Sequence, residues 1–155
     1  MATLHALLTD PAASGVYRLA ADQPLAPLRR GIAQSSARLF TVNGTAITDK
    51  PSFLRACARA MHFPRYFGRN WDAFEECITD LAWAPAPAYV VLYHDVAPFA
   101  RQSPAEWAVA LDILRAAARH WRDAGTPFAV LLAGADGISQ GVPFLDIGED
   151  NKSKV

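Results

Sequence analysis

Two short apolar runs, one on each side of a long helical pattern, constrain this chain more than any other feature. Ala88 to Tyr93 (Ala-Tyr-Val-Val-Leu-Tyr) and Phe128 to Leu132 (Phe-Ala-Val-Leu-Leu) are strand-length and show no polar alternation. A strand without a polar face has to be covered on both sides, the condition met in parallel sheets. Between the runs, Trp107, Leu111, Leu114, Ala118 and Trp121 recur at helical spacing. Strand, helix, strand is the unit that joins parallel neighbours. The expected class is therefore α/β, a small parallel sheet packed with helices.

Other elements fit this frame. Arg38 to Val42 reads as a strand closed by the turn pair Asn43-Gly44. Asp49 to Met61 reads as a helix, with Asp49 as cap and Pro51 in the first turn, where its missing N–H costs nothing. Phe53, Leu54, Cys57, Ala58 and Met61 form its buried stripe. Pro64 and Gly68 interrupt, and Asn70 is a good cap for a second helix reaching about Leu81. Ser103-Pro104-Ala105-Glu106 has the pattern of a capping box opening the longest helix, which Gly125 ends. Nearer the start, Val16 to Leu19 alternates weakly and Pro27 to Ser35 has helical spacing. The sheet should thus have three parallel strands, with a fourth available from the N-terminal segment. The 155 residues make one domain's worth of chain. Residues 38–134 are expected to form its body, 1–37 an extension packed on it, and 135–155 a polar, partly disordered extension.

Composition narrows the function. Apolar residues make up 52% and charged residues 19%, so the chain is not a disordered polyelectrolyte. Lys+Arg and Asp+Glu both number 15, and without a basic excess no nucleic-acid partner is expected. No apolar run has the length of a membrane span, so no membrane partner is expected either. Met1 to Asp10 has His5 as its only basic side chain and no long apolar core, unlike a secretory signal. Cys57 and Cys77 sit in apolar helical patterns and read as buried free thiols, which suits a cytoplasmic protein; separately, a monomer is expected when the chain is free. His5, His62, His94 and His120 lack metal-ligand spacing with Cys or carboxylates. Neither a phosphate-binding glycine loop nor a Gly-x-Ser-x-Gly elbow is present. His94-Asp95 follows a buried strand, a place where α/β enzymes build sites, but His94 reads better as a strand-end polar residue. An enzyme, a metal and a cofactor are all unexpected.

Charge is locally uneven. Between Arg69 and Arg101 there is no Lys or Arg, yet Asp72, Glu75, Glu76, Asp80 and Asp95 lie there. On a wheel of about 100° per residue, Trp71, Ala73, Phe74, Cys77, Ile78 and Leu81 take one side of the second helix. Asp72, Glu75, Glu76, Thr79 and Asp80 take the other. Like charges at i, i+4 cost about 0.2–0.5 kcal/mol per pair, and Asp80 also opposes the helix dipole. Those small costs are what a surface made for a cationic partner would carry. The aromatic loop Phe63-Pro64-Arg65-Tyr66-Phe67-Gly68-Arg69-Asn70-Trp71 leads into this helix. Phe67 and Trp71 are expected to staple it to the core, leaving Tyr66 as the exposed contact.

The run from Phe63 to Thr79 resembles the signature of the barstar family of ribonuclease inhibitors. Pro64, Tyr66, Phe67, Gly68, Asn70, Asp72, Ala73, Cys77 and Thr79 carry the likeness. Phe40 to Gly44, Tyr89 to Tyr93 and Phe128 to Leu132 look like the family's strands, so the resemblance covers about residues 38–134. It implies an intracellular inhibitor of a small, basic, guanyl-specific ribonuclease, whose carboxylates take the place of RNA phosphates in the enzyme's active site. By that resemblance Asp72 and Glu76 align with the two principal acids, Glu76 standing where barstar has the shorter Asp. Tyr66, Asn70 and Thr79 match contact positions, Asp80 flanks them, and Glu75 replaces an aromatic. A further family acid on the last helix falls near His120. The alternative is a barstar-like immunity or adaptor protein for a different basic toxin or enzyme. Trp83 and Trp107 suit either the core or an apolar surface for oligomerisation.

Overall fold

The computed structural model describes residues 3–65, 68–135 and 141–145. Strands β1 (Gly15–Arg18), β2 (Arg38–Asn43), β3 (Tyr89–His94) and β4 (Phe128–Leu132) form one parallel sheet in the order β1-β4-β3-β2. Every residue of β4, and of β3 up to Tyr93, is buried, as their unbroken apolar sequences require. The fourth strand does come from the N-terminal segment: Val16 pairs in register with Val130.

The helices are α1 (Leu4–Thr9), α2 (Leu25–Ala33), α3 (Lys50–Ala60), α4 (Trp71–Asp80), α5 (Ala97–Gln102) and α6 (Pro104–Asp123). The path β2–β3–β4 moves across the sheet in one direction, and the step from β1 to β2 moves in the other. Right-handed crossovers then place the two sets of helices on opposite faces. Accordingly, residues of α3 to α6 pack with Phe40, Val42, Val91, Tyr93, Phe128, Val130 and Leu132. Leu7 of α1 and Leu28 and Ile32 of α2 pack with Val90, Leu92, Ala129 and Leu131. Alternate side chains of the same strands thus feed two separate cores.

Several local expectations hold. Asp49 caps α3 and closes a capping box with Ser52: the Ser52 N–H donates to the Asp49 carboxylate at 2.9 Å. Asn70 caps α4, and Cys57 and Cys77 are buried and free. Trp107 is buried, whereas Trp83 is half-buried and donates its indole N–H to the Met61 carbonyl at 2.9 Å.

One local expectation fails. Ser103 and Glu106 do not form a capping box at α6. The Ser103 N–H, which the box would direct to Glu106, donates instead to the Phe99 carbonyl in the last turn of α5 at 2.8 Å. Its hydroxyl donates to the Thr48 carbonyl, also at 2.8 Å. With that donor committed, Glu106 is free to reach another helix. The short helices α1 and α5 were not expected: each has only six residues, too few turns to show an apolar period.

Residues 141–145 lie along the outer edge of β1. The Arg18 N–H donates to the Pro143 carbonyl at 2.8 Å and the Leu145 N–H to the Arg18 carbonyl at 2.9 Å. The Arg18 guanidinium sits 3.9 Å from the centre of the Phe144 ring. Most of the C-terminal stretch from residue 135, including Gly148 to Val155, falls outside the described residues.

Candidate partner-binding face

Helix α4 is fixed to the body by its apolar side. Phe74, Cys77 and Ile78 are buried. Phe53 of α3 meets Phe74 edge-on at 5.4 Å and Trp71 at 5.8 Å. Packing of that side turns the other one outward. Asp72, Glu75, Glu76 and Asp80 are exposed, and Thr79 is half-exposed. Among the described residues no cation lies within ion-pair distance of these four carboxylates. Their charge still acts on the molecule. Burial pushes the Cys77 thiol above its usual 9.0, and the charges of Asp80 and Glu76 push it the same way.

Two neutral members of the expected site, Asn70 and Thr79, are committed to the helix itself. Asn70 accepts the Ala73 N–H on Oδ1 at 2.8 Å, and its Nδ2 lies 3.4 Å from the Gly68 carbonyl. It sets where α4 begins, hence where Asp72 stands. The Thr79 hydroxyl donates to the Glu75 carbonyl at 2.7 Å, so only its oxygen lone pairs face outward. Tyr66 and Phe67 lie outside the described residues. Phe63 packs against Phe74 and Trp83, at 6.1 and 5.9 Å between centroids.

The two ends of α4 are tied to α6. The Trp71 indole N–H donates to Glu106 Oε2 at 3.0 Å, and the Trp121 indole N–H donates to the Ile78 carbonyl at 2.9 Å. Neither tie is visible in sequence, where each pair is more than thirty residues apart. His120, beside Trp121, is exposed, its ring perpendicular to the indole at 5.6 Å.

A second polar group sits at the carboxyl ends of β2 and β3. The His94 Nδ1 is 2.9 Å from Asp95 Oδ2, which accepts the Thr45 hydroxyl at 3.2 Å; Thr45 also bonds Asn43. Asp95 is more than half exposed, and these residues bond chiefly to one another. No group of three or more metal-ligating side chains occurs among the described residues.

The family model for barstar, described as the barnase inhibitor, matches residues 37–133. The chain belongs to the barstar family. The match takes in β2 through β4 with every helix between them, and so the whole acidic face. No curated protein matches the chain. No described helix is long and apolar enough to cross a membrane. The family is one of inhibitors.

Proposed function

We propose that this chain is an intracellular inhibitor of a small, basic, guanyl-specific ribonuclease and that α4 plugs the enzyme's active site. The observation that carries the reading is the outward side of α4, four exposed carboxylates with no cationic partner among the described residues. A ribonuclease active site is built to hold a polyanion, and carboxylates spaced along one helix face offer it the same charge. Asp72 and Glu76, one turn apart, are the central acids. Tyr66, Asn70, Glu75, Thr79 and Asp80 surround them. Attraction between such surfaces speeds encounter and is screened over about 8 Å at physiological salt. Net affinity comes only from carboxylates that are hydrogen-bonded once desolvated.

The test is a titration of a barnase-type ribonuclease with this protein at low and high salt, reading RNA cleavage. Stoichiometric inhibition that weakens with salt is expected. Asp72→Ala and Glu76→Ala should each weaken inhibition about a hundredfold, because removing one partner of a buried charge pair costs roughly 3 kcal/mol. Circular dichroism should show both variants folded. If both inhibit like the parent, the acids are misassigned. If the parent itself does not inhibit at either salt, the reading moves to a different basic toxin or enzyme. The replacement of an aromatic by Glu75, which makes the face more acidic and less apolar, favours that second reading.

A further inference from the structure

The acidic face is presented by a helix only ten residues long. Isolated helices of that length do not hold their form in water, and their end turns fray first. Asp72 is in the first turn and Asp80 closes the last, so half of the acidic stripe stands on the turns least able to keep a fixed position. Both turns are held by the same neighbour. At the first turn, the Trp71 indole N–H reaches Glu106 Oε2 across 3.0 Å. The Trp71 ring is packed against Phe53 and Phe74, with the Lys50 ammonium 5.5 Å from its centre. A carboxylate beside the start of α4 is also on the favourable side of the helix dipole. At the last turn, Ile78 has one of the terminal carbonyls that no helical N–H can satisfy, and the Trp121 indole N–H fills it at 2.9 Å. Start is tied to start and end to end, as two helices running the same way on one face of a parallel sheet allow.

We infer that α6 is a splint for the acidic face: Glu106 and Trp121 are positioning residues that hold the first and last turns of α4, and through them Asp72 and Asp80, in the geometry the partner meets. The inference rests on the reading of α4 as the partner-binding face. Glu106 acts here as a hydrogen-bond acceptor for Trp71, and its charge is secondary. Trp121 acts as a donor to a backbone oxygen.

Three variants of the full chain test this: Glu106→Ala, Glu106→Gln and Trp121→Phe. Gln keeps an acceptor oxygen and removes the charge, while Phe keeps a smaller aromatic ring and removes the donor. Two readouts are taken, amide and indole hydrogen exchange of α4 by NMR, and association and dissociation rates with a barnase-type ribonuclease. In Glu106→Ala the Trp71 indole proton and the first-turn amides should exchange faster. Dissociation should quicken about fivefold, the loss expected of a single net hydrogen bond. Glu106→Gln should restore most of both. Trp121→Phe, which changes no charge, should speed exchange in the last turn and raise the dissociation rate with association unaltered. Parent-like exchange in Glu106→Ala and Trp121→Phe overturns the splint. Failure of Gln to rescue overturns it too, because Glu106 would then act by charge. Faster exchange with parent-like dissociation leaves α4 held but not positioned for binding, and so overturns the inference while the inhibitor reading stands. If the parent inhibits no ribonuclease, the inhibitor reading fails separately, and the exchange data still support or overturn the hold of α6 on α4.

Discussion

Tyr93 occupies the middle of the larger core with 2% of its surface exposed, yet its hydroxyl meets no hydrogen-bond partner among the described residues. The ring is well used, packing with Phe53 at 5.9 Å and Trp107 at 6.1 Å. Burial pushes the phenol far above its usual 10.0, and the neighbouring Cys57 adds to the push. A buried polar group left unpaired costs about 1–3 kcal/mol, so Tyr93→Phe should leave the protein as stable as the parent or about 1 kcal/mol more stable. Urea unfolding reads this, and a clear loss of stability would mean that the hydroxyl has a partner. Gly44 presents the opposite case, a residue defined by what is missing. A Cβ there would lie 2.6 Å from the His94 carbonyl oxygen and closer still to that of Asp95. Both obstacles are backbone at the end of the central strand β3, so neither moves aside. Gly44→Ala should destabilise by about 2 kcal/mol, in the range of overpacked cores, with a lower urea midpoint as the observation. The pair Asn43-Gly44 reads as a turn in sequence, but the crowding that demands glycine comes from residues fifty positions away.

At the scale of elements, periodicity was informative wherever an element is long and one-sided. Helices α3, α4 and α6 and strands β2, β3 and β4 stand close to where apolar spacing puts them, because burial on a fixed face is what wrote that spacing. The acidic side of α4 is legible for the same reason: once the apolar arc is assigned, the opposite arc must face out. Caps were legible only where the cap residue has no other duty. Asp49 has none; it caps α3 as read and, with Ser52, forms a box that was not read. Ser103 joins two helices, its N–H is used by the first, and the box read there fails. The ties from α6 to α4 had no signal in sequence, since nothing there marks a tryptophan and a glutamate from different helices as neighbours. The Asp49 cap also makes a prediction about pH. Hydrogen bonds from the Ser52 side chain and N–H, in that order, hold the Asp49 carboxyl below its usual 3.8. A depressed carboxylate adds stability that is present above its unfolded value and is lost as the pH falls through its lower folded value. Asp49→Asn keeps a capping oxygen and removes the titration. The parent should therefore lose its advantage over Asp49→Asn as the pH drops below about 4, measured as the difference in urea midpoint between pH 6 and pH 2.5. A constant difference across that range would show that the cap does not depend on ionisation.

The whole molecule extends beyond the part that the family model matches. That match starts at residue 37, yet β1 pairs along β4, and the Ser14 hydroxyl oxygen accepts the Phe128 N–H at 3.0 Å. The second core, under Val90, Leu92, Ala129 and Leu131, is filled by Leu7, Leu19, Leu28 and Ile32. In sequence the first 37 residues read as an extension because their elements are short and weakly patterned; the long-range pairing that orders them is supplied by β4, more than a hundred residues on. We propose that the body of the domain is unstable without them. Each of the four aliphatic side chains is at least 98% buried, and burial of one contributes about 1.5–3 kcal/mol. Together they amount to at least ~6 kcal/mol, comparable with the 5–15 kcal/mol that separates folded from unfolded domains. Removal would also bare the edge of β4 and an apolar sheet face, which invites pairing with other chains. A chain starting at Ser36 should therefore lose cooperative urea unfolding and elute as aggregate, although it keeps α4 and every acid of the proposed binding face. A monomeric truncated chain with the parent's urea midpoint would overturn this, and would make residues 1–35 a dispensable cover on a domain that folds without them.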